Sequence, residues 1–182
     1  SITDAFEANL TTLDWMDDAT KQRAKQKSDI MVYKIGYPKK WRDYTFPVDS
    51  HDHLANLVAA SMADLGRDLA KIGKPVDRDE WGMTPPTVNA YYNPLLNEMV
   101  FPAGILQPPF YAVSAAVQVN LGAIGMVVGH ELTHGFDDEG SKFAGDGNLK
   151  EWWDPQVIEK FKAKTACVTE QYAAYEVLPG LK

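Results

Sequence analysis

The residues from His130 to His134 read His-Glu-Leu-Thr-His, and this motif constrains the fold of the chain more than any other stretch. Side chains four residues apart lie on one face of an α-helix, so the rings of His130 and His134 can reach a single ion. Glu131 would lie beside that ion, where its carboxylate could take a proton from a water molecule. The motif therefore predicts a helix that binds one zinc ion and carries a general base.

A surface helix with two solvated histidines is the alternative interpretation of the motif. The preceding residues, 120–129, are mostly apolar, which favours a helix that is buried on several sides. Gly122, Gly125 and Gly129 weaken this helix and predict that another element packs close to its backbone. Polar ligands at the end of a buried helix favour the metal site. A catalytic zinc usually has three protein ligands, so the motif leaves a third ligand to be found.

Three segments of the chain resemble one family of metallopeptidases. Residues 125–138 (Gly-Met-Val-Val-Gly-His-Glu-Leu-Thr-His-Gly-Phe-Asp-Asp) resemble the zinc-binding helix of the neprilysin and endothelin-converting-enzyme family. Residues 88–94 (Val-Asn-Ala-Tyr-Tyr-Asn-Pro) are similar to the substrate-binding strand of that family. Residues 101–111 (Phe-Pro-Ala-Gly-Ile-Leu-Gln-Pro-Pro-Phe-Tyr) are similar to the loop that leads into its specificity pocket. The resemblance runs through the whole chain and is weakest before residue 50.

The resemblance implies a mainly α-helical fold with a small antiparallel β-sheet, which is an incomplete thermolysin-like (gluzincin) catalytic lobe. It implies a zinc metalloendopeptidase that hydrolyses peptides, with one Zn²⁺ held by His130 and His134 and with Glu131 as the catalytic base. Cleavage would occur before bulky apolar residues. Peptide substrates would lie antiparallel to the strand at Asn89, Ala90 and Tyr91. The pocket for the apolar residue would be lined by Ile105, Phe110, Met126 and Val127.

Carboxylates that follow the motif are candidates to orient a metal ligand. A metal-bound histidine usually donates its other ring N–H to a carboxylate, which fixes the orientation of the ring. Asp138, four residues after His134, is the preferred partner, and Asp137 is the second choice. A helix end that leaves into solvent is the alternative interpretation of these acidic residues.

The resemblance also implies parts that this sequence does not contain. The family takes its third zinc ligand from a Glu in a later Glu-Asn-x-x-Asp motif, and nothing in the 182 residues matches that motif. The later His and Arg that stabilise the oxyanion are missing, as is the large N-terminal lobe that closes over the site. We therefore expect a segment of a longer enzyme, whose partner is the remainder of its own polypeptide. Two imidazoles alone predict weak zinc binding, and we expect the isolated segment to be inactive.

Two other functions stay open at the level of sequence. One is a non-catalytic interaction module with a vestigial metal site, which loss of Glu131 or a disordered strand at 87–92 would favour. The other is a hydrolase of a different zinc class that acts on non-peptide substrates. Only the resemblance of residues 89–91 to a peptide-binding strand argues against this second function.

Composition and charge exclude other classes of partner. A net charge of −7 and a pI near 5.0 leave no basic stripe for nucleic acid. Residues 112–129 are the one candidate membrane span, but they are short and contain Ser114, Gln118 and Asn120, so we predict no transmembrane segment in this chain. Residues 1–10 lack the basic start and the apolar block of a signal peptide.

Cys167 is the only cysteine, so it cannot form a disulfide within this chain. It is either a buried thiol or one half of a disulfide to a segment that is not present here. The resemblance favours the disulfide, because exported members of the family carry a cysteine at the matching place. This implies an extracellular or periplasmic location, with a cytoplasmic location as the alternative.

Hydrophobic periodicity and turn residues predict the elements around the motif. Residues 1–80 would form a helical segment that leads into the catalytic lobe, and residues 81–182 would form the zinc-helix catalytic segment. The hairpin of this second segment is either simple scaffold or, as the resemblance favours, an edge that binds an extended peptide. The predicted helices cover 2–13, 17 or 18 to about 35, 54–72 and 155 to about 178, and the hairpin pairs 87–92 with 98–101.

The periodicity also predicts which faces of these helices are buried. The second helix would bury Ala24, Met31 and Ile35, and the third would turn its apolar face toward the core and end at Gly73. The last helix would begin at Asp154 with a proline in its first turn and end at Pro179-Gly180. The basic residues expected on the solvated outer face of the second helix are Lys21, Arg23, Lys25 and Lys27.

Overall fold

The computed structural model describes residues 1–178 and 180–181, and most of its regular structure is helical. The prediction of a mainly α-helical chain with a small sheet is confirmed. Two short 3₁₀ turns lie at Ala103–Ile105 and Gly140–Lys142. The helices and strands are α1 (Ile2–Thr12), α2 (Asp18–Asp29), β1 (Val32–Gly36), α3 (His53–Leu69), β2 (Tyr91–Asn93), β3 (Glu98–Pro102), α4 (Val117–Gly122), α5 (Ile124–His134) and α6 (Pro155–Ala174).

The described chain divides into two compact units. Residues 1–36 and 85–182 form the larger unit, which contains the His-Glu-Leu-Thr-His motif, and residues 37–84 form the smaller one. The predicted division between residues 80 and 81 stays a prediction.

Side-chain caps fix where two helices of the larger unit begin. Asp17 accepts a hydrogen bond from the backbone N–H of Thr20 at 2.7 Å at the start of α2. Asp154 accepts one from the backbone N–H of Gln156 at 3.0 Å, and a proline follows it in the first turn of α6, as predicted. The predicted stop at Pro179 lies outside the described residues.

The predicted length of the second helix is wrong. α2 ends at Asp29, and the last turns of the predicted helix form β1 instead, with Val32 paired in parallel with Glu98 of β3. This segment is rich in β-branched and aromatic side chains, which favour a strand when a central strand is available for pairing. Ile35, predicted on the buried side, is 64% exposed.

The sheet has three strands in the order β1-β3-β2. The central strand, β3, is buried along its whole length, and β2 pairs with it in antiparallel fashion, with Tyr91 opposite Val100. The sheet is therefore mixed rather than purely antiparallel, because β1 joins it in parallel. β2 is shorter than the strand predicted over 87–92, and it forms an edge of the sheet within the described chain.

α5 carries the motif and begins after a break in the helical backbone at Ala123, which separates it from α4. Leu132 anchors α5 in the core and is only 1% exposed. The predicted burial on several sides holds only in part, because α5 contacts three other elements but Met126 is 61% exposed. Among the described residues, no atom lies within 4 Å of a methyl group added at Gly122 or Gly129, so these glycines do not mark a close approach. The neighbours of α5, which are α1, α4 and β2, leave this side uncovered.

The core of the larger unit lies between α1, α2, α5, α6 and the sheet. Aromatic pairs fill part of it, as where the ring centroids of Phe6 and Phe136 are 4.7 Å apart. Leu132, which lies within the motif, belongs to this core, and the core therefore positions the end of α5 that carries the two histidines. Its buried apolar side chains are Leu10, Met16, Ala24, Met31, Ala90, Met99, Phe101, Ile105, Leu132, Phe136, Trp152, Trp153 and Val157.

In the smaller unit, α3 has a regular apolar stripe but buries none of it. Leu57 and Leu69 are 51% and 57% exposed, although Gly73 takes the predicted left-handed conformation with a φ of 74°. The predicted core-facing orientation is wrong for the described chain, because this unit holds no second layer of structure against which the helix could pack. None of the helices in the described chain combines the length and the apolar character that crossing a membrane requires.

Candidate metal centre

The two histidines of the motif come together at the C-terminal end of α5. The Nε2 atoms of His130 and His134 are 3.0 Å apart, and the planes of the rings cross at 84°. Two nitrogens bound tetrahedrally at the usual zinc distance of about 2.0–2.1 Å lie about 3.3 Å from each other. Both side chains are exposed, so an ion can reach them from solvent. The residues present therefore fit a zinc ion held by the two Nε2 atoms.

Asp137 fixes the ring of His134 from the other side. Its Oδ2 atom lies 2.8 Å from Nδ1 of His134, and its Oδ1 atom accepts the backbone N–H groups of Glu139 and Gly140 at 3.0 and 2.7 Å. The preferred candidate, Asp138, does not make this contact, because α5 ends at His134 and the chain leaves the helical path before residue 138. With Nδ1–H donating to Asp137, His134 directs the lone pair of Nε2 toward the ion position.

Glu131 is the buried member of the motif, with 6% of its surface exposed. The backbone N–H of Tyr92, in β2, donates a hydrogen bond to its carboxylate. Burial raises the pKa of Glu131, while the charges of His130 and His134 and the hydrogen bond from Tyr92 oppose that rise. A carboxylate with a raised pKa binds a proton more readily than an exposed one, which suits a general base.

A cleft with a volume of about 380 Å³ opens in front of the motif. It places the end of α5 opposite the chain that leads into β2, which is the edge strand of the sheet. The structure thus brings together two groups of residues that were predicted from separate segments of sequence. The predicted site residues that line the cleft are His130, Glu131 and His134 from α5, Asp137 after it, and Asn89, Ala90 and Tyr91.

The four residues predicted to line a specificity pocket do not border this cleft among the described residues. Ile105 is 4% exposed and belongs to the core, against which Phe110 and Val127 pack. Met126 is exposed and lies one helical turn before His130, on the same face of α5. Their role in a specificity pocket stays a prediction.

The described chain provides two ligands for a metal ion at this site, His130 and His134. Within residues 1–178 and 180–181, no third His, Cys, Asp or Glu joins His130 and His134 in a group able to hold a metal ion. Asp137 contacts the Nδ1 atom of His134, on the side away from the facing Nε2 atoms. It therefore orients a ligand rather than adding one.

Lys27 contributes to the surroundings of the motif in a way that the sequence reasoning missed. It was expected on the solvated face of α2, but it is 3% exposed, and its Nζ atom donates to the backbone oxygens of Gly140 and Phe143 at 2.8 and 2.7 Å. A signal was present in the sequence. Lys27 lies three residues after Ala24 and four before Met31, in the same stripe as these buried residues.

Comparison with known proteins connects both ends of the larger unit to one family. Residues 89–182 match the model described as peptidase family M13, and residues 1–38 match a second model with the same description. Residues 89–182 contain the strand, the cleft and the motif.

Relatives and a solved structure extend the match over almost the whole chain. An endothelin-converting enzyme homolog of Locusta migratoria is 45% identical over 183 residues, which are 95% of this chain and 25% of the relative. Endothelin-converting enzyme 1 of Bos taurus is 47% identical over 187 residues, which are 95% of this chain and 24% of the relative. The structure of Mycobacterium tuberculosis zinc metalloprotease Zmp1 in complex with an inhibitor matches with a TM-score of 0.92 and 49% identity, over 96% of this chain and 27% of that one. This chain thus spans about a quarter of the length of these relatives, and its fold agrees with the predicted partial gluzincin lobe.

Proposed function

Because this chain belongs to peptidase family M13, we propose that it supplies the metal-binding helix and the substrate strand of a zinc metalloendopeptidase. The observation that carries the proposal is the approach of the Nε2 atoms of His130 and His134 to 3.0 Å, beside the buried carboxylate of Glu131. The similarity to zinc metalloproteases supports a metallopeptidase function. The substrate, the bond that is cut and the roles of individual residues belong to the proposal.

In this proposal, His130 and His134 hold the zinc ion through Nε2. When bound there, zinc would polarise the peptide carbonyl and lower the pKa of a water molecule. The hydrogen bond between Asp137 and His134 keeps one ring in the orientation that such binding requires. Two imidazoles fall short of the usual three protein ligands, and the family resemblance implies a glutamate from the remainder of the polypeptide as the third.

Glu131 acts as the general base in the proposed reaction. Its burial and the hydrogen bond from the backbone of Tyr92 hold the carboxylate beside the two histidines. It would take a proton from the attacking water and pass that proton to the leaving amine. The raised pKa favours the first of these steps, because the carboxylate then binds a proton more readily than an exposed carboxylate does.

The substrate of the proposed enzyme is an extended peptide that adds to the edge of the sheet. β2 is the edge strand, and the residues before it, Asn89 and Ala90, line the same cleft as the motif. A peptide lying antiparallel to residues 89–91 would bring its scissile bond to the end of α5. The residue after that bond would be bulky and apolar, and Met126 and Val127 lie one turn before the motif to help form its pocket.

The remainder of the polypeptide is the partner that completes this proposed site. It would supply the third ligand, the residues that stabilise the oxyanion and the lobe that closes over the cleft. Loss of a single oxyanion donor typically lowers the rate about 100- to 1,000-fold. We therefore propose that the 182-residue chain alone binds zinc weakly and has no measurable peptidase activity.

An exported location is a separate part of the proposal. Cys167 is exposed on α6, so the alternative of a buried thiol does not hold in the described chain. Its thiol is accessible for a disulfide, which forms in an extracellular or periplasmic compartment. Mass spectrometry of the natural protein, comparing alkylation of Cys167 before and after reduction, distinguishes this from a free cytoplasmic thiol.

Zinc titration of the purified chain by calorimetry tests the function. We expect one weak site per chain, which is lost in His130→Ala and in His134→Ala. Glu131→Gln is the matched control, because it removes the base and keeps both ligands. In the complete enzyme, the same Glu131→Gln change should lower kcat by about 100- to 10,000-fold without loss of zinc.

Two results would contradict the proposal. One is zinc binding that both alanine variants leave unchanged, because the ion would then be held elsewhere. The other is peptide cleavage by the complete enzyme that survives Glu131→Gln, because another group would then act as the base.

A further inference from the structure

Lys27 is a buried cation that the proposed reaction does not use. It lies in α2, far in sequence from the motif, and 3% of its surface is exposed. Within the described chain, no carboxylate oxygen lies within 4.0 Å of its Nζ atom. Its charge is compensated instead by the backbone oxygens of Gly140 and Phe143, at 2.8 and 2.7 Å.

Aromatic rings complete the surroundings of this ammonium group. The Nζ atom lies 5.4 Å from the ring centroid of Trp152, 5.7 Å from that of Phe136 and 5.9 Å from that of Tyr92. Burial lowers the pKa of Lys27 to about 8, and the negative charge of Asp137 opposes that shift. Burial of a lysine costs free energy unless its charge is compensated, and the carbonyl oxygens of Gly140 and Phe143 provide that compensation here.

Hydrogen bonds connect Lys27 to the motif through the loop that follows α5. Lys27 holds the carbonyl oxygen of Gly140, and the N–H of Gly140 donates to Oδ1 of Asp137 at 2.7 Å. The other oxygen of Asp137 lies 2.8 Å from Nδ1 of His134. Gly140 also packs tightly on the end of α5, since a Cβ atom there would overlap the carbonyl oxygen of His134. The position of Gly140 therefore determines where Asp137 meets the ring.

The backbone of Lys27 is held from the opposite side. The side-chain N–H of Asn97, between β2 and β3, donates to the carbonyl oxygen of Lys27 at 3.0 Å. The hydroxyl of Tyr92 donates to Oδ1 of Asn97 at 3.0 Å, and the backbone N–H of Tyr92 is the group that contacts Glu131. Lys27 is thus fixed relative to the strand that borders the cleft.

We propose that Lys27 is a positioning residue for the metal centre: by holding Gly140 and Phe143, it sets the loop in which Asp137 orients His134. This inference rests on the proposed zinc function in one test, which measures zinc affinity. Two other properties can be measured without metal: the tautomer of His134 and the protection of the Gly140 amide from exchange.

A double-mutant cycle on the full 182-residue chain tests this role. We expect Lys27→Met to weaken zinc binding by roughly 3- to 10-fold, less than the 10- to 100-fold typical for loss of a ligand's direct partner. In an Asp137→Asn background, the same change should weaken it less than about 2-fold, because the path is already broken. Equal losses in the two backgrounds would overturn the proposal, since Lys27 would then act on stability alone.

A metal-free measurement separates this inference from the proposed function. Long-range ¹H–¹⁵N NMR of the zinc-free chain should show His134 protonated at Nδ1, and a mixture of tautomers in Lys27→Met. Lys142→Met is the matched control, because Lys142 lies in the same loop, is exposed and pairs with Glu139 at 2.7 Å. If zinc does not bind the motif while Lys27→Met still changes the tautomer, the zinc function fails and the positioning role stands. An unchanged tautomer in Lys27→Met would overturn the positioning role.

A second variant and a measurement on the unmutated chain cover the case in which Lys27→Met does not fold. Lys27→Gln keeps an N–H donor on a shorter side chain, and it should produce the same changes to a smaller extent. In the unmutated chain, the Gly140 amide should be protected from exchange with solvent, because its N–H donates to Asp137 and its carbonyl oxygen accepts from the buried Lys27. Rapid exchange of the Gly140 amide would contradict the path.

Discussion

The two histidines of the motif lie one turn apart on α5, yet the described chain treats them differently. The Nδ1 atom of His134 meets Asp137 at 2.8 Å, and a loop held by Lys27 supports that contact. No residue in the described part of the chain hydrogen-bonds Nδ1 of His130. Within the described chain, the ring of His134 therefore has a partner at each nitrogen, whereas the ring of His130 has only the ring of His134 as a partner.

This difference has a consequence for the protons of the two rings. With both rings neutral and Nδ1–H of His134 given to Asp137, Nε2 of His134 accepts, so Nε2–H of His130 donates across the 3.0 Å contact. His134 is then in the tautomer that binds a metal through Nε2, and His130 is not. Binding of zinc requires a change of tautomer only at His130.

Removal of either ring gives the largest expected effect. His130→Ala and His134→Ala should each lower the zinc affinity of the chain by more than about 100-fold, because one imidazole is too weak a site to hold the ion. Calorimetry with zinc alone measures this loss. Circular dichroism checks that both variants keep their helical content. Retention of zinc in only one variant would break the comparison, because the two rings would not share the ion.

Removal of the carboxylate partner comes next. Asp137→Asn should weaken zinc binding about 10- to 100-fold, because asparagine has one acceptor oxygen and no negative charge and so cannot hold both the ring of His134 and the backbone N–H groups of the loop. Asp138→Asn is the matched control and should change the affinity less than about 2-fold, since Asp138 does not contact the ring. A larger loss of zinc affinity in Asp138→Asn than in Asp137→Asn would contradict this assignment and would support Asp138 as the partner of His134, as the sequence predicted.

Two glycine substitutions test how closely the chain packs around each histidine, one at Gly140 near His134 and one at Gly129 beside His130. Gly140→Ala should lower the free energy of unfolding by about 1–3 kcal/mol, because the new methyl group overlaps the backbone at the end of α5. Gly129→Ala, beside His130, should raise it by about 0.5–1 kcal/mol, because the methyl group meets open space within the described chain. Urea unfolding of the two variants measures both values. Equal destabilisation would show that the turn of His130 is also closely covered.

The pH dependence of stability tests Lys27, which supports the contact between Asp137 and His134 and has no counterpart at His130 among the described residues. The folded-state pKa of Lys27 is lowered to about 8 from 10.5, so between these values the unfolded chain keeps a proton that the folded chain has released. The contribution of Lys27 to the free energy of unfolding is therefore lowest below pH 8, and it increases as the pH rises toward 10.5.

The gain between pH 7 and 10 should be on the order of 1–3 kcal/mol, because each unit by which the pKa is lowered corresponds to about 1.4 kcal/mol. Urea unfolding from pH 7 to 10 should show this gain in the wild type relative to Lys27→Met. A constant difference between the two proteins over this range would mean that Lys27 does not titrate there.

Much of the fold followed from local signals in the sequence. The start of α6 at Asp154 and the left-handed Gly73 follow from cap chemistry that acts within a few residues. β1 did not follow, because its pairing with β3 joins Val32 to Glu98 across a long stretch of chain. The exposed face of α3 did not follow either, because periodicity reports an apolar stripe without reporting what covers it.

The candidate site divides in the same way. The motif and the strand residues from Asn89 could be predicted because each is a contiguous pattern of residues. The partner of His134 required the path of the chain beyond the helix end, which a spacing rule based on α5 does not provide. Lys27 lies in the predicted buried stripe of Ala24 and Met31, but lysine is rarely buried, and its carbonyl partners at Gly140 and Phe143 are far away in the chain. The backbone N–H of Tyr92 has no signal in the sequence at all.

The most direct test is long-range ¹H–¹⁵N NMR of the two imidazoles during zinc titration, with both rings neutral. We predict that zinc-free His134 carries its proton on Nδ1, that His130 carries its proton on Nε2, and that zinc shifts both Nε2 signals and moves only the proton of His130 to Nδ1. A zinc-free His134 protonated at Nε2, or a zinc titration that leaves both Nε2 signals unchanged, would contradict the assignment of these two atoms as the metal site.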